Sequence, residues 1–133
     1  MLDSAKINPV LTSNADVKNY DFITVDGILY LVCNTIVGDD SYKDDVVIKA
    51  GEYLNGYQVD AFVGQKLVVD GKHIAFASGK TIADFEGGEY MTANSDGKLA
   101  VASAKPASGV YFEVTDIGIN LTEAAVKVRV CKA

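Results

Sequence analysis

From Asp21 onward the chain reads as short runs of β-branched and aromatic residues separated by Gly, Asp and Asn, the texture of strands joined by tight turns. Phe22-Ile23-Thr24-Val25 leads into Asp26-Gly27 and out again through Ile28-Leu29-Tyr30-Leu31-Val32-Cys33. Asp-Gly suits a two-residue hairpin turn, because both central residues of that turn need positive φ. The return strand is apolar on both faces, which predicts a position in the middle of the core, with Cys33 on the face of Leu29 and Leu31.

The device recurs in Leu67-Val68-Val69-Asp70-Gly71-Lys72-His73-Ile74 and in Met91-Thr92-Ala93-Asn94-Ser95-Asp96-Gly97-Lys98-Leu99-Ala100-Val101. Both copies carry Asp-Gly-Lys and both run on into Ala-Ser, at Ala77-Ser78 and Ala102-Ser103. Two copies are too few for a solenoid or a propeller, so they predict two similar hairpins in one sheet system. Towards the end, Val110 to Asp116 and Ala124 to Cys131 alternate cleanly. Period two puts Val126, Val128 and Val130 on one face and Lys127, Arg129 and Cys131 on the other, a strand with one wet side. Helix is confined to a turn or two within Gly56–Val63 and to Asp84-Phe85-Glu86, where Gly87-Gly88 stops it. The expected fold is therefore all-β, a small sandwich or barrel of about seven to nine short strands.

Residues 1–20 differ in texture. Isolated apolar groups alternate irregularly with Asn, Ser, Asp and Pro9, and no period is sustained. They read as an extended amino-terminal arm ahead of a single β-domain at 21–133, and 133 residues suffice for one proper core.

Composition narrows the function. No apolar run approaches the roughly 20 residues needed to cross a bilayer, so a soluble chain with no membrane partner is expected. Met1-Leu2-Asp3-Ser4-Ala5-Lys6 lacks the layout of a secretory signal, which suggests an uncleaved cytoplasmic product. A net charge of −6 repels a phosphate backbone, and nucleic acid is not an expected partner. The two cysteines, Cys33 and Cys131, are expected to stay reduced and define no metal site.

Candidate chemistry is sparse. The single histidine, His73, follows a turn, where an ordinary packed or surface role outweighs that of a catalytic base, and no Gly-x-Ser-x-Gly elbow accompanies it. The acidic run Asp39-Asp40-Ser41-Tyr42-Lys43-Asp44-Asp45 lacks the ligand spacing, central glycine and closing Glu of an EF-hand, so it reads as a solvated loop. No P-loop and no Gly-x-Gly-x-x-Gly is present to cradle phosphate. Tyr53, Tyr57 and Phe62, grouped around Asn55-Gly56, form either a sticky aromatic patch or core packing. Asn120-Leu121-Thr122 matches a glycosylation acceptor, which matters only in an exported chain. These residues predict no enzyme, no catalytic residue, no cofactor and no metal.

The stretch from Ala50-Gly51-Glu52-Tyr53-Leu54-Asn55-Gly56-Tyr57 through Val63-Gly64-Gln65-Lys66-Leu67-Val68-Val69-Asp70-Gly71-Lys72-His73-Ile74, with Ser95 to Val101 and Gly109 to Val114, resembles small β-rich head proteins of tailed bacteriophages, of the decoration, auxiliary or head-fibre-base kind. The resemblance covers about two thirds of the chain and carries no functional residue over. It implies a virion protein assembled in the host cytoplasm, bound to the major capsid protein or another virion protein, and forming a homo-oligomer. The acidic 39–45 loop departs from it. On this reading Ile7, Val10, Leu11 and Val17 of the arm dock on the partner, helped by Tyr53 and Tyr57, and removing residues 1–19 leaves the fold intact. The alternatives are a β-module that binds a small ligand, sugar or calcium through Tyr53, Tyr57 and the acidic loop, and a phage tail or baseplate subunit.

Overall fold

The computed structural model describes residues 7–34, 47–117 and 125–133. The chain is all-β, and it divides into two compact units, Met1–Ala61 and Phe62–Ala133. Twelve strands lie among the described residues, but three of them, Val17–Lys18, Val47–Ile48 and Ile74–Ala75, are only two residues long. These short bridges account for the excess over the count expected from the sequence pattern. The acidic 39–45 run and Asn120-Leu121-Thr122 fall outside the described residues.

The first unit holds β1 (Ile7–Thr12), β2 (Val17–Lys18), β3 (Phe22–Val25), β4 (Ile28–Val32), β5 (Val47–Ile48) and β6 (Tyr53–Gln58). Four of these make an antiparallel sheet in the order β1-β6-β4-β3, while β2 and β5 form a separate ribbon. The β3–β4 hairpin turns at Asp26 and Gly27 with φ of 52° and 79°, the double positive φ that Asp-Gly was expected to supply. Interior strand β4 buries Tyr30 and Val32 and leaves Leu29, Leu31 and Cys33 half-covered.

The amino-terminal stretch, read from the sequence as an extended arm, contributes a strand to this sheet. β1 pairs with β6 in the register Ile7↔Tyr57, Asn8↔Gly56, Leu11↔Leu54 and Thr12↔Tyr53. Leu11 and Val17 are buried, in one cluster with Tyr30, Val32, Ile48 and Leu54. The missing period has a physical cause: the register shifts between Asn8 and Leu11, so the apolar positions on either side of the irregularity fall out of step. Gly56 records how closely β1 and β4 approach β6. A Cβ there would lie 2.9 Å from Leu11 Cδ1 and 3.1 Å from Tyr30 Cβ.

Asn19 is 2 % exposed and acts as a buried clip. Its Oδ1 accepts the Asn34 N–H at 2.7 Å and its Nδ2 donates to the Asn34 carbonyl at 3.0 Å, tying the turn after β2 to the end of β4. The Asn34 side chain in turn accepts the Asn55 N–H, which extends the connection to β6.

A 3₁₀ turn at Val59–Phe62 takes up the helical propensity expected near Gly56–Val63, while residues 53–58 are strand. The second unit holds β7 (Lys66–Asp70), β8 (Ile74–Ala75), β9 (Tyr90–Ala93), β10 (Leu99–Ala102), β11 (Val110–Asp116) and β12 (Ala125–Lys132), in a sheet ordered β7-β12-β11-β9-β10-β8. Val126, Val128 and Val130 are fully buried, whereas Lys127, Arg129 and Cys131 are half-exposed, as the alternation predicts. Both cysteines are free.

Only the second Asp-Gly-Lys copy makes a hairpin. In the turn between β9 and β10, Gly97 has φ of 80°, and Asn94 Oδ1 accepts the N–H groups of Asp96 and Lys98, both at 3.0 Å. In the first copy, Gly71–His73 form a 3₁₀ turn instead, and Ile74 joins β10 in parallel rather than β7. The reason is burial: that turn places His73 and Ile74 inside, at 9 % and 4 % exposure.

This correction sets the shape of the sheet. β7 and β8 end the strand order at opposite sides, yet only Gly71–His73 separate them in sequence. Four residue steps span at most about 14 Å. A flat sheet of this many strands would hold its outer strands about 24 Å apart. The sheet must therefore curl enough to bring the end of β7 within about 14 Å of the start of β8, which makes a half-barrel around Phe112, Met91, Leu99, Val114 and the β12 valines.

Two exposed carboxylates tune acid stability. Asp16 accepts the Ala50 N–H at 2.9 Å and pairs with Lys49 at 3.5 Å. The Ala50 hydrogen bond, and then Lys49, hold its carboxyl below the usual range. Asp116 is lowered by the Thr115 hydroxyl at 3.0 Å and by Lys66 at 3.3 Å. A carboxyl with a folded-state pKa below its unfolded value of about 3.9 adds stability above that value, which is lost as pH falls through the folded-state pKa. The melting temperature should accordingly drop on acidification through this range, and Asp16→Asn and Asp116→Asn should each flatten the drop. Thermal melts at successive pH values give the test, and unchanged slopes in both variants would refute this assignment.

Candidate binding surfaces

Strand β6 alternates Leu54 and Gly56 inward with Tyr53, Asn55 and Tyr57 outward, so the two sequence-selected tyrosines do share a face. Tyr53 is 76 % exposed, more than any other large apolar side chain of the described residues. Its neighbour across the ladder, Thr12, is exposed too. Tyr57 lies between Leu31 and Ile7 in the register and is half-buried. Burial, and then the adjoining Cys33 thiol, push its phenol up, so it stays neutral. Burial likewise raises the Cys33 thiol and disfavours a nucleophilic thiolate.

The other sequence-selected residues divide. Ile7 and Val10 lie in β1, on the outer edge of the sheet beside β6. Leu11 and Val17, expected to dock on a partner, are instead core residues at 4 % and 8 % exposure, because Leu11 of the edge strand β1 and Val17 of the β2–β5 ribbon pack into one cluster with Tyr30, Val32, Ile48 and Leu54. Phe62, the third member of the suspected aromatic patch, is buried at 4 % exposure and offers nothing to a ligand.

A second surface was not legible in the sequence. In the second unit a half-open groove of about 470 Å³ is lined by Ala75, Phe76, Phe85, Ala100 and Val101, with Lys80 and Asp84 at its polar margin. Phe76 and Phe85 meet at 5.9 Å between ring centroids, with their planes inclined at 52°. The margin is rigid. Thr81 caps a 3₁₀ turn at Ile82–Asp84, and the Asp84 carboxylate accepts the Thr81 N–H at 2.7 Å in return. Glu89 accepts the N–H groups of Glu86 and Gly87, both at 2.7 Å. The lining comes from three separated stretches of chain, and that is why no local motif announced it.

Among the described residues no three His, Cys, Asp or Glu side chains sit close enough to hold a metal ion, and no helix is long and apolar enough to cross a membrane. His73 is a packed residue of a 3₁₀ turn. No known protein family, curated protein or solved structure matches the chain.

Proposed function

We propose that the chain is a structural protein of a tailed-phage particle that binds the capsid surface as a decoration or auxiliary subunit through the outward face of its first sheet. The observation that carries the contact surface is Tyr53, a large amphipathic ring left 76 % exposed on a rigid strand beside an edge strand. Tyrosine on a rigid scaffold gives large contact area at little entropic cost, and such residues are enriched among binding hot spots. The resemblance to phage head proteins supplies the choice of partner. A clamp of this kind works by repetition, since weak contacts multiply across a lattice.

Co-sedimentation of the purified chain with tailed-phage particles from the cells that make it tests the reading. Tyr53→Ala should lower the bound fraction at least about tenfold, in line with a hot-spot truncation, while leaving the melting temperature in place. Wild-type protein that stays in the supernatant at all concentrations would refute the reading.

The groove favours a second one, a ligand-binding β-module, because its volume is in the range of small-molecule sites and its floor is apolar. A thermal shift produced by small ligands or glycans, and abolished by Val101→Lys, would support that reading over the first.

A further inference from the structure

We propose that the chain dimerises by antiparallel pairing of β7 with β7 of a second copy, an inference independent of the capsid reading. β7 ends the six-stranded sheet, and its other side is laddered to β12. Val130 N–H donates to the Gln65 carbonyl at 2.9 Å, so stepping by two along the ladder turns the backbone groups of Leu67 and Val69 towards β12. The amides of Lys66, Val68 and Asp70 and the carbonyls of Lys66 and Val68 therefore point off the sheet. No described residue pairs with them.

The side chains of the same three residues are exposed, Val68 at 60 %, while Val69 between them is buried. A charged edge ordinarily keeps strands apart. Here the charges have opposite sign and are symmetric about Val68. Antiparallel pairing centred on that residue sets Val68 against Val68 of the second copy, Lys66 against its Asp70, and Asp70 against its Lys66. Its amides and carbonyls meet in register at the same positions, because in such a pairing the residues that face each other are the ones whose backbone groups point off the edge. Lys66 already pairs with Asp116 of its own sheet at 3.3 Å, and the second copy's Asp70 gives that ammonium a second carboxylate. The contact is isologous and closes on itself.

Sedimentation velocity of the full chain, from micromolar concentration to about 1 mM, suits the weak dimer expected of a short interface. The wild type should shift from monomer to dimer. Lys66→Asp and Asp70→Lys should each weaken the dimer at least about tenfold, because each turns two attractive cross-strand pairs into repulsive ones. The double reversal Lys66→Asp/Asp70→Lys should restore it. Amide exchange on the wild type, which needs no variant to fold, should show protection of Val68 and Asp70 that rises with concentration. A wild type that remains monomeric overturns the proposal, as does a dimer indifferent to both single reversals or a double variant no tighter than the singles.

Discussion

Deleting residues 1–19 should abolish cooperative folding of the first unit. The deletion removes β1, strips the outer ladder from β6, and takes Leu11 and Val17 out of a cluster built with Tyr30, Val32, Ile48 and Leu54. It also removes Asn19, which holds the N–H and carbonyl of Asn34. Losing a buried leucine alone costs about 2–5 kcal/mol, against a total domain stability of about 5–15 kcal/mol. The loss of the ladder and the opening of the core add to this. Nitrogen–proton correlation spectra should show the signals of residues 20–61 collapsing to random-coil positions. A truncated chain that keeps native dispersion over those residues would restore the arm reading.

Phe112→Ala should be the most damaging single truncation in the second unit. Phe112 is wholly buried on β11, flanked in the sheet by Val130 on one side and Met91 on the other, both also wholly buried. The curl of the sheet closes the remaining side, so neighbouring chains have little freedom to fill the space the ring leaves. Such a cavity costs about 3–5 kcal/mol. Val101→Ala, at a site 52 % exposed on the same sheet, should change stability by less than about 0.5 kcal/mol. Urea melts of the two variants supply the comparison, and equal midpoints would show that Phe112 does not anchor the half-barrel.

The sequence pattern revealed the strands better than their partners. Period two placed the valines and Cys131 of β12 on opposite faces correctly, because that strand is buried on one side only. Asp26-Gly27 announced its hairpin, because positive φ at both residues is a local requirement that few residue pairs meet. Asp70-Gly71 carries the same letters, yet Gly71 is not among the glycines of positive φ. There the packing of His73 and Ile74 decides the turn, and packing is not a local property. The amino-terminal strand was hidden because its register irregularity erases the period.

The candidate surfaces followed the same rule. Tyr53 and Tyr57 could be placed on one face from their spacing, whereas the groove depended on Phe76, Phe85 and Val101 being brought together by the crossing to β8 and the return through β9 and β10.

β1 belongs to the fold, and in the proposed function the outward tyrosine face, not an arm, carries the contact. Native-state hydrogen exchange resolved by residue tests this most directly. Amides of β1 that bond to β6 should exchange as slowly as those of β4, through opening of the whole unit. Exchange of every β1 amide at the rate of an unstructured peptide, with β4 and β6 still protected, would contradict it.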